Sequence, residues 1–181
     1  MRITLSPATS RRKGSCSVWD RVRKQVSLGR QQLRRLLVTY HALLRKCETS
    51  PPDDVELSAL AAMIHSFYNG IENIFKRIAE GLDGQLPPSE FWHRELLDTM
   101  NKPGKVRPAV ISESLVECLD SYLDFRHFFR HSYTFDLHWE RMKTLVLDCE
   151  ETLKLLEDEL DRFFAAGTGN RALSNSPQLL S

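Results

Sequence analysis

The residues best suited to chemistry lie between Arg126 and Tyr133, where two arginines, two histidines and three aromatic residues occur within eight positions. They close the apolar stripe of a predicted helix, whose members recur every three or four residues: Leu115, Leu119, Tyr122, Arg126, Phe129 and Tyr133. Arg126 stands where a leucine is expected. Because a buried guanidinium is costly unless it is paired, the stripe predicts either a partner for Arg126 or a solvated cleft beside it.

Arginine and histidine without clustered carboxylates suit the cleavage of an RNA phosphodiester without a metal ion. The 2′-hydroxyl serves as the nucleophile, so the protein supplies only a proton shuttle and a cation. Histidine, here His131, can be that shuttle, and the guanidinium of Arg126 matches phosphate oxygens in a bidentate manner. Such a reaction leaves a 2′,3′-cyclic phosphate end.

Arg126 and His131 are five residues apart, which separates them by about 140° on an unbroken helix. For both to reach one phosphate, the helix must end or bend between them, or a second copy of the chain must complete the site. The seven-residue periodicity of the stripe favours the second arrangement, because it suits the near-parallel packing of two helices.

The motif formed by Arg126, His131 and Tyr133 resembles the Arg-x4-His-x-Tyr motif of the HepT-like ribonucleases, toxins of the HEPN superfamily. Residues 67–78 are also similar to the second helix of HepT-like proteins, and the whole resemblance covers about residues 30–165. It implies a HEPN-like helical bundle that cleaves RNA as a homodimer.

The resemblance also implies a role for each motif residue. Arg126 would bind the scissile phosphate and His131 would move the proton, in a cleft shared by two subunits. Tyr133 would be the residue to which a cognate minimal nucleotidyltransferase antitoxin transfers AMP from ATP, as in a type VII-like toxin–antitoxin pair. Phosphate beside Arg126 would then compete with RNA. Neither a metal nor a cofactor is implied for this chain.

Five further residues are candidates for supporting roles. His127 and Arg130 either contact phosphate or form a solvated helix end. Asp124 either orients a catalytic imidazole, pairs with an arginine or is a surface acid. Asn69 and Glu72 match polar positions of the family, although a hydrogen bond between helices would explain them equally.

Two other functions are compatible with these residues. The chain could be a non-catalytic subunit that presents a nucleotide or substrate to a nucleotidyltransferase, with Arg126 binding phosphate alone. It could also be a purely structural bundle.

The helical periodicity predicts an all-α, up-and-down bundle of about five helices. The first covers roughly 19–48, the second begins after Asp53 or Asp54 and ends at Gly81 to Gly84, and a short third begins near residue 89. The fourth is capped by Ser112 and ends near residue 130 or 131. A single long helix from about residue 136 completes the bundle, and its acidic residues are expected to form a solvated face.

Composition favours one domain with disordered ends. Of the 181 residues, 1–18 are predicted to be a disordered basic tail, 19–166 the helical domain and 167–181 a disordered tail. Residues 1–50 carry a formal charge of +10 and the remainder carry −9. A basic N-terminal segment of this kind can attract the phosphate backbone of a nucleic acid.

Several classes of protein are disfavoured. No apolar run is long enough to cross a bilayer and the N-terminus lacks a secretory signal, so a cytoplasmic location without membrane contact is expected. The four cysteines are too far apart for a Cys-x-x-Cys metal site or a dense disulfide framework, so the sequence predicts core thiols and no metal.

Overall fold

The chain is an all-α bundle in a computed structural model that describes residues 17–131 and 137–173, the side chains of 168–173 excepted. Within these ranges there are six α-helices, one π-helical turn and no strand. In chain order they are α1 Val18–Cys47, α2 Asp54–Ile78, the π-helical turn Ala79–Asp83, α3 Trp92–Asn101, α4 Glu113–His131, α5 Trp139–Leu147 and α6 Cys149–Leu173. The predicted fold class is confirmed.

Capping boxes fix the starts of the first two helices. Before α1, the Ser17 hydroxyl accepts from the Asp20 N–H at 3.1 Å and the Asp20 carboxylate accepts from the Ser17 N–H at 3.2 Å. Before α2, Asp53 and Glu56 make the equivalent pair at 2.8 and 2.9 Å. Each box satisfies two backbone donors that the first turn of a helix leaves free.

The second helix ends in a wider turn. After Ile78 the backbone forms the π-helical turn, and Gly84 closes it with φ of +79°. The Gly84 N–H donates to the carbonyl of Ala79 at 2.9 Å. A left-handed conformation favours glycine because it has no Cβ, which explains why the predicted break falls at this residue.

Helix α2 lies at the centre of the bundle and contacts α1, α3, α4 and α5. Its inward face is fully buried and consists of Leu60, Met63, Ile64, Phe67, Tyr68, Ile71, Ile74, Phe75 and Ile78. This near-continuous apolar surface holds α4 against α2 along the segment that carries Arg126. Burial at this depth contributes about 1.5–3 kcal/mol per large aliphatic or aromatic side chain, so the relative position of α2 and α4 is strongly determined.

Helix α1 is basic, and several of its arginines pair with acids of α6. Arg30 contacts Asp161 at 2.6 Å and Glu157 at 3.5 Å, and Arg34 contacts Glu157 at 2.7 Å. The Glu157 side chain is only 16% exposed, so the expectation of a fully solvated acidic face is wrong at this position. The opposite charges of the two halves of the sequence therefore meet within the bundle.

The predicted single last helix is divided at Asp148, which makes six helices where about five were expected. Tyr122 of α4, itself buried, donates its hydroxyl to the Leu145 carbonyl at 2.9 Å. In an unbroken helix that carbonyl would accept from the Cys149 N–H. A side chain that takes a carbonyl from the helical ladder is a recognised cause of a break, and sequence periodicity does not report it.

Helix α6 continues beyond residue 166, where a disordered tail was predicted to begin, and ends at Leu173. Gly167 lies inside this helix, where the lack of a side chain allows α6 to pack closely against α1. A Cβ on Gly167 would lie 2.3 Å from the ring of Trp19 in α1. Residues 1–16 and 174–181, the remainder of the predicted tails, lie outside the described residues. None of the described helices is long and apolar enough to cross a membrane.

A buried ion pair anchors the connection between α3 and α4. The Arg107 side chain is 0% exposed and donates to both carboxylate oxygens of Asp83 at 2.7–3.0 Å. Its remaining donors reach the carbonyls of Lys102, Pro108 and Thr99. Because this guanidinium is fully satisfied, it serves structure, in contrast to Arg126, the other buried arginine among the described residues.

Candidate functional site

Arg126 is buried on the face of α4 that packs against α2, as its place on the apolar stripe predicts; the residue is 7% exposed. Its Nε donates to the Asn69 Oδ1 at 2.8 Å, and Nη2 lies 3.9 Å from the Glu72 Oε1. Nη1 is buried without a hydrogen-bond partner among the described residues. A buried cationic donor left unpaired is costly, so this nitrogen is the one part of the guanidinium whose hydrogen-bonding capacity is unused within the described residues.

Asn69 links Arg126 to His65. Because Arg126 Nε must donate, the Asn69 Oδ1 faces Arg126 and its Nδ2 faces the His65 Nε2 at 2.9 Å. The amide nitrogen is a donor, so this His65 nitrogen accepts, and the ring is neutral with its proton on Nδ1. The His65 ring also packs on Phe129 of α4, with centroids 4.9 Å apart. Asn69 therefore makes the hydrogen bond between helices that the sequence left as one alternative.

Glu72 is the centre of a second set of contacts. The residue is 3% exposed, yet three groups that are cationic when protonated surround its carboxylate. Lys76 Nζ lies 3.0 Å from Oε1, Arg126 Nη2 lies 3.9 Å from the same oxygen, and His93 Nδ1 of α3 contacts Oε2. The buried carboxylate is thus stabilised by pairing, as buried charges require.

Sequence reasoning missed His65, Lys76 and His93. The first two were detectable, because His65, Asn69, Glu72 and Lys76 recur at spacings of four, three and four and so form a polar stripe on α2. His93 had no comparable signal. It reaches Glu72 only because α3 packs across α2, and one sequence does not specify that contact.

The other candidates on α4 are exposed. His127, Arg130 and His131 are all solvent-accessible near the end of the helix. Asp124 is also exposed, and its Oδ1 accepts from Arg94 at 3.2 Å, so it pairs with an arginine, one of its three predicted roles. Tyr133, the predicted AMP acceptor, lies outside the described residues.

Arg126 and His131 occupy different environments within one chain. Helix α4 is continuous from Glu113 to His131, so the predicted possibility that it ends or bends between the two residues is wrong. Arg126 faces α2, and His131 is exposed at the final helical position. Within one described chain, Arg126 and His131 therefore do not face a common site.

Four cavities among the described residues lie outside the cluster around Arg126, and two of them adjoin α3 or α4. One of about 640 Å³ lies beside the π-helical turn and α3, and one of about 510 Å³ lies between α4 and α5. Neither includes Arg126 or His131 in its lining. Among the described residues, no group of three or more His, Cys, Asp or Glu side chains is arranged to hold a metal ion.

Acid is expected to destabilise this cluster. Burial, followed by the charges of Arg126 and Arg130, lowers the pKa of His65. The unfolded chain therefore takes up a proton at a higher pH than the folded chain, and the free energy of unfolding should fall as the pH drops through the usual histidine range. Protonation would also set an N–H of His65 against the Asn69 amide.

We expect His65→Gln, whose side-chain oxygen can still accept from Asn69, to lose less stability on acidification than the native chain. Denaturant unfolding at about pH 7 and about pH 5, on either side of the usual histidine pKa, measures the difference. An equal loss in both proteins would contradict the assignment of His65 as the neutral acceptor.

The family model described as HepT-like protein matches residues 59–166, more than half of the chain, which therefore belongs to the HepT-like family. The match includes most of α2, all of α3, α4 and α5 and most of α6, and so contains every residue of the cluster. Membership implies, in general terms, a nuclease-type protein with a toxin–antitoxin partner. No curated protein and no solved structure matches the chain.

Proposed function

We propose that the chain is a metal-independent endoribonuclease toxin that acts in the cytoplasm as a homodimer. One observation carries the proposal: α4 holds Arg126 in the bundle with an unpartnered Nη1, and the same helix ends five residues later in the exposed imidazole of His131. A cation aimed at an anion and a titratable group are the two parts that RNA transesterification needs from a protein.

The reaction assigns a role to each part. The 2′-oxygen attacks the adjacent phosphorus, the bond from phosphorus to the 5′-oxygen breaks, and the products carry a 2′,3′-cyclic phosphate and a 5′-hydroxyl. Arg126 stabilises the negative charge that develops on the phosphate oxygens. His131 carries proton transfer, because histidine is the side chain that most often serves as a general acid or base.

The site is proposed to be shared by two subunits. Within one chain, Arg126 and His131 point about 140° apart on α4, given 3.6 residues per turn. If the ends of two α4 helices pack together, His131 of the second copy approaches Arg126 of the first. A two-fold axis would then create two equivalent sites per dimer. The exposed His127 and Arg130 would flank the same cleft and contact the RNA backbone.

The central test is cleavage of RNA by purified chain in the presence of EDTA. We expect 2′,3′-cyclic phosphate ends, and a loss of about 10²–10⁴-fold in rate for His131→Ala. His41→Ala is the matched control, because His41 is an exposed histidine of α1 outside the proposed site. Equal cleavage by His131→Ala and the native chain would refute the assignment. Tight nucleotide binding without any RNA turnover would instead support a non-catalytic nucleotide-binding subunit.

Regulation is proposed to act through Tyr133. A cognate minimal nucleotidyltransferase would transfer AMP from ATP to the phenolic oxygen and release pyrophosphate. Because Tyr133 follows α4 by two residues, the added phosphate would reach the RNA cleft and compete with the substrate for Arg126. Co-production with a cognate nucleotidyltransferase should add about 329 Da per AMP, localised to Tyr133. An unchanged intact mass would contradict this part of the proposal.

A further inference from the structure

A histidine and a glutamate pair at the interface of α2 and α3, outside the Arg-x4-His-x-Tyr motif. His93 Nδ1 contacts the Glu72 Oε2, and the two side chains are only 11% and 4% exposed. The indole of Trp92 covers the imidazole, with ring centroids 3.6 Å apart. His93 is therefore held in one orientation by a carboxylate on one side and by an aromatic ring on another.

The contact determines which nitrogen of His93 is available. A carboxylate accepts a hydrogen bond, so the Nδ1 proton of His93 points at Glu72 and Nε2 carries the lone pair. No hydrogen bond joins Nε2 to another described residue. The charged and titratable groups that face the ring are Glu72 and Lys76 from α2, and Arg126 and His127 from α4. Burial lowers the pKa of His93, and Glu72 opposes that shift, so the ring is neutral near neutral pH and can accept a proton.

His93 and Arg126 are joined through one carboxylate. Arg126 approaches the Glu72 Oε1 and His93 contacts Oε2, so the free nitrogen of the imidazole and the unpartnered Nη1 of the guanidinium belong to one polar cluster. Packing alone does not require such a cluster. Apolar side chains of similar volume would stabilise an interface between helices as well or better.

We propose that His93 is a further catalytic residue, the general base of the ribonuclease reaction, and that Glu72 is its positioning residue. The inference rests on the proposed ribonuclease function and extends it. His93 Nε2 takes the proton of the 2′-hydroxyl as the bond from the 2′-oxygen to phosphorus forms. The bond from phosphorus to the 5′-oxygen breaks, and His131 of the second copy gives its proton to that oxygen. The number of protons is conserved, with one taken up by His93 and one released by His131.

His93→Asn is the discriminating variant. The asparagine amide can still donate to Glu72 from near the Nδ1 position, but nothing replaces Nε2 as a base. We expect kcat to fall by about 10²-fold or more with KM changed little, and the acidic limb of the pH–rate profile to disappear. His41→Asn is the matched control. Cleavage by His93→Asn within about threefold of the native rate, with an unchanged pH profile, would overturn the inference.

Glu72→Gln gives a second test that does not depend on how His93→Asn folds. The glutamine oxygen can still accept from His93 Nδ1, but the negative charge that raises the pKa of His93 is lost. The acidic limb of the pH–rate profile should therefore move to lower pH. If the acidic limb of the Glu72→Gln profile lies at the same pH as that of the native chain, His93 is not the general base.

The two proposals fail in different ways. If the native chain cleaves RNA, His131→Ala does not, and His93→Asn does, then only the role of His93 is wrong. If the native chain does not cleave RNA at all, the proposed function is wrong and the role of His93 is wrong with it.

Discussion

Replacement of Arg126 with glutamine is expected to lower kcat for RNA cleavage by about 10²–10³-fold, the range seen when one preorganised donor to developing charge is removed. Glutamine can still donate to the Asn69 oxygen, but it carries no charge and cannot offer two parallel N–H groups to a phosphate. Arg126→Lys keeps the positive charge but lacks the planar guanidinium with its parallel N–H groups. Its kcat should therefore lie between those of the native chain and Arg126→Gln. Single-turnover cleavage of one labelled RNA measures all three rates.

The fold should survive this change. Glu72 keeps its closer partner Lys76 at 3.0 Å as well as His93, so loss of Arg126 at 3.9 Å does not leave the carboxylate isolated. We therefore expect destabilisation of about 1–3 kcal/mol, the cost of one altered hydrogen bond to a charged group, and not the larger cost of breaking a buried pair. Relief of the unpartnered Nη1 would offset part of that cost.

Arg94→Gln is the matched control for Arg126→Gln. Arg94 lies in α3 and pairs with Asp120 and Asp124 of α4, so it links helices as Arg126 does but lies outside the proposed cleft. Its replacement should leave RNA cleavage within about threefold of the native rate. If both variants lose activity equally, the contribution of Arg126 is structural and its assignment to the phosphate is wrong.

The starts of the first two helices and the end of the segment that follows α2 could be predicted because local sequence determines them. The acidic residue three positions after Ser17 or Asp53 completes a capping box, and Gly84 supplies the left-handed residue that ends the segment following α2. The burial of Arg126 could also be predicted, since its position on the stripe follows from helical periodicity alone.

The partners of Arg126 could be predicted only in part, because they come from other helices. Asn69 and Glu72 were candidates through the resemblance to a known family, and Arg126 contacts both. His93 was not a candidate, because its contact with Glu72 depends on the angle at which α3 crosses α2. The break at Asp148 was missed for the same reason, since the hydroxyl of Tyr122 that reaches Leu145 comes from another helix.

A mixture of two inactive variants, Arg126→Gln and His131→Ala, is expected to recover RNA cleavage. If each site takes Arg126 from one subunit and His131 from the other, a heterodimer of Arg126→Gln and His131→Ala chains contains one site with both defects and one intact site. Random pairing after co-refolding should then restore about a quarter of native activity, because half of the dimers are mixed and each has one working site.

RNA cleavage by that purified heterodimer, isolated with a different affinity tag on each chain, is the decisive measurement of the shared site. A site shared by two subunits requires cleavage at about half the native rate, with cyclic phosphate ends, while both parent homodimers remain inactive. A heterodimer as inactive as its parents would show that Arg126 and His131 do not meet across two subunits, and it would contradict the shared site on which the proposed function depends.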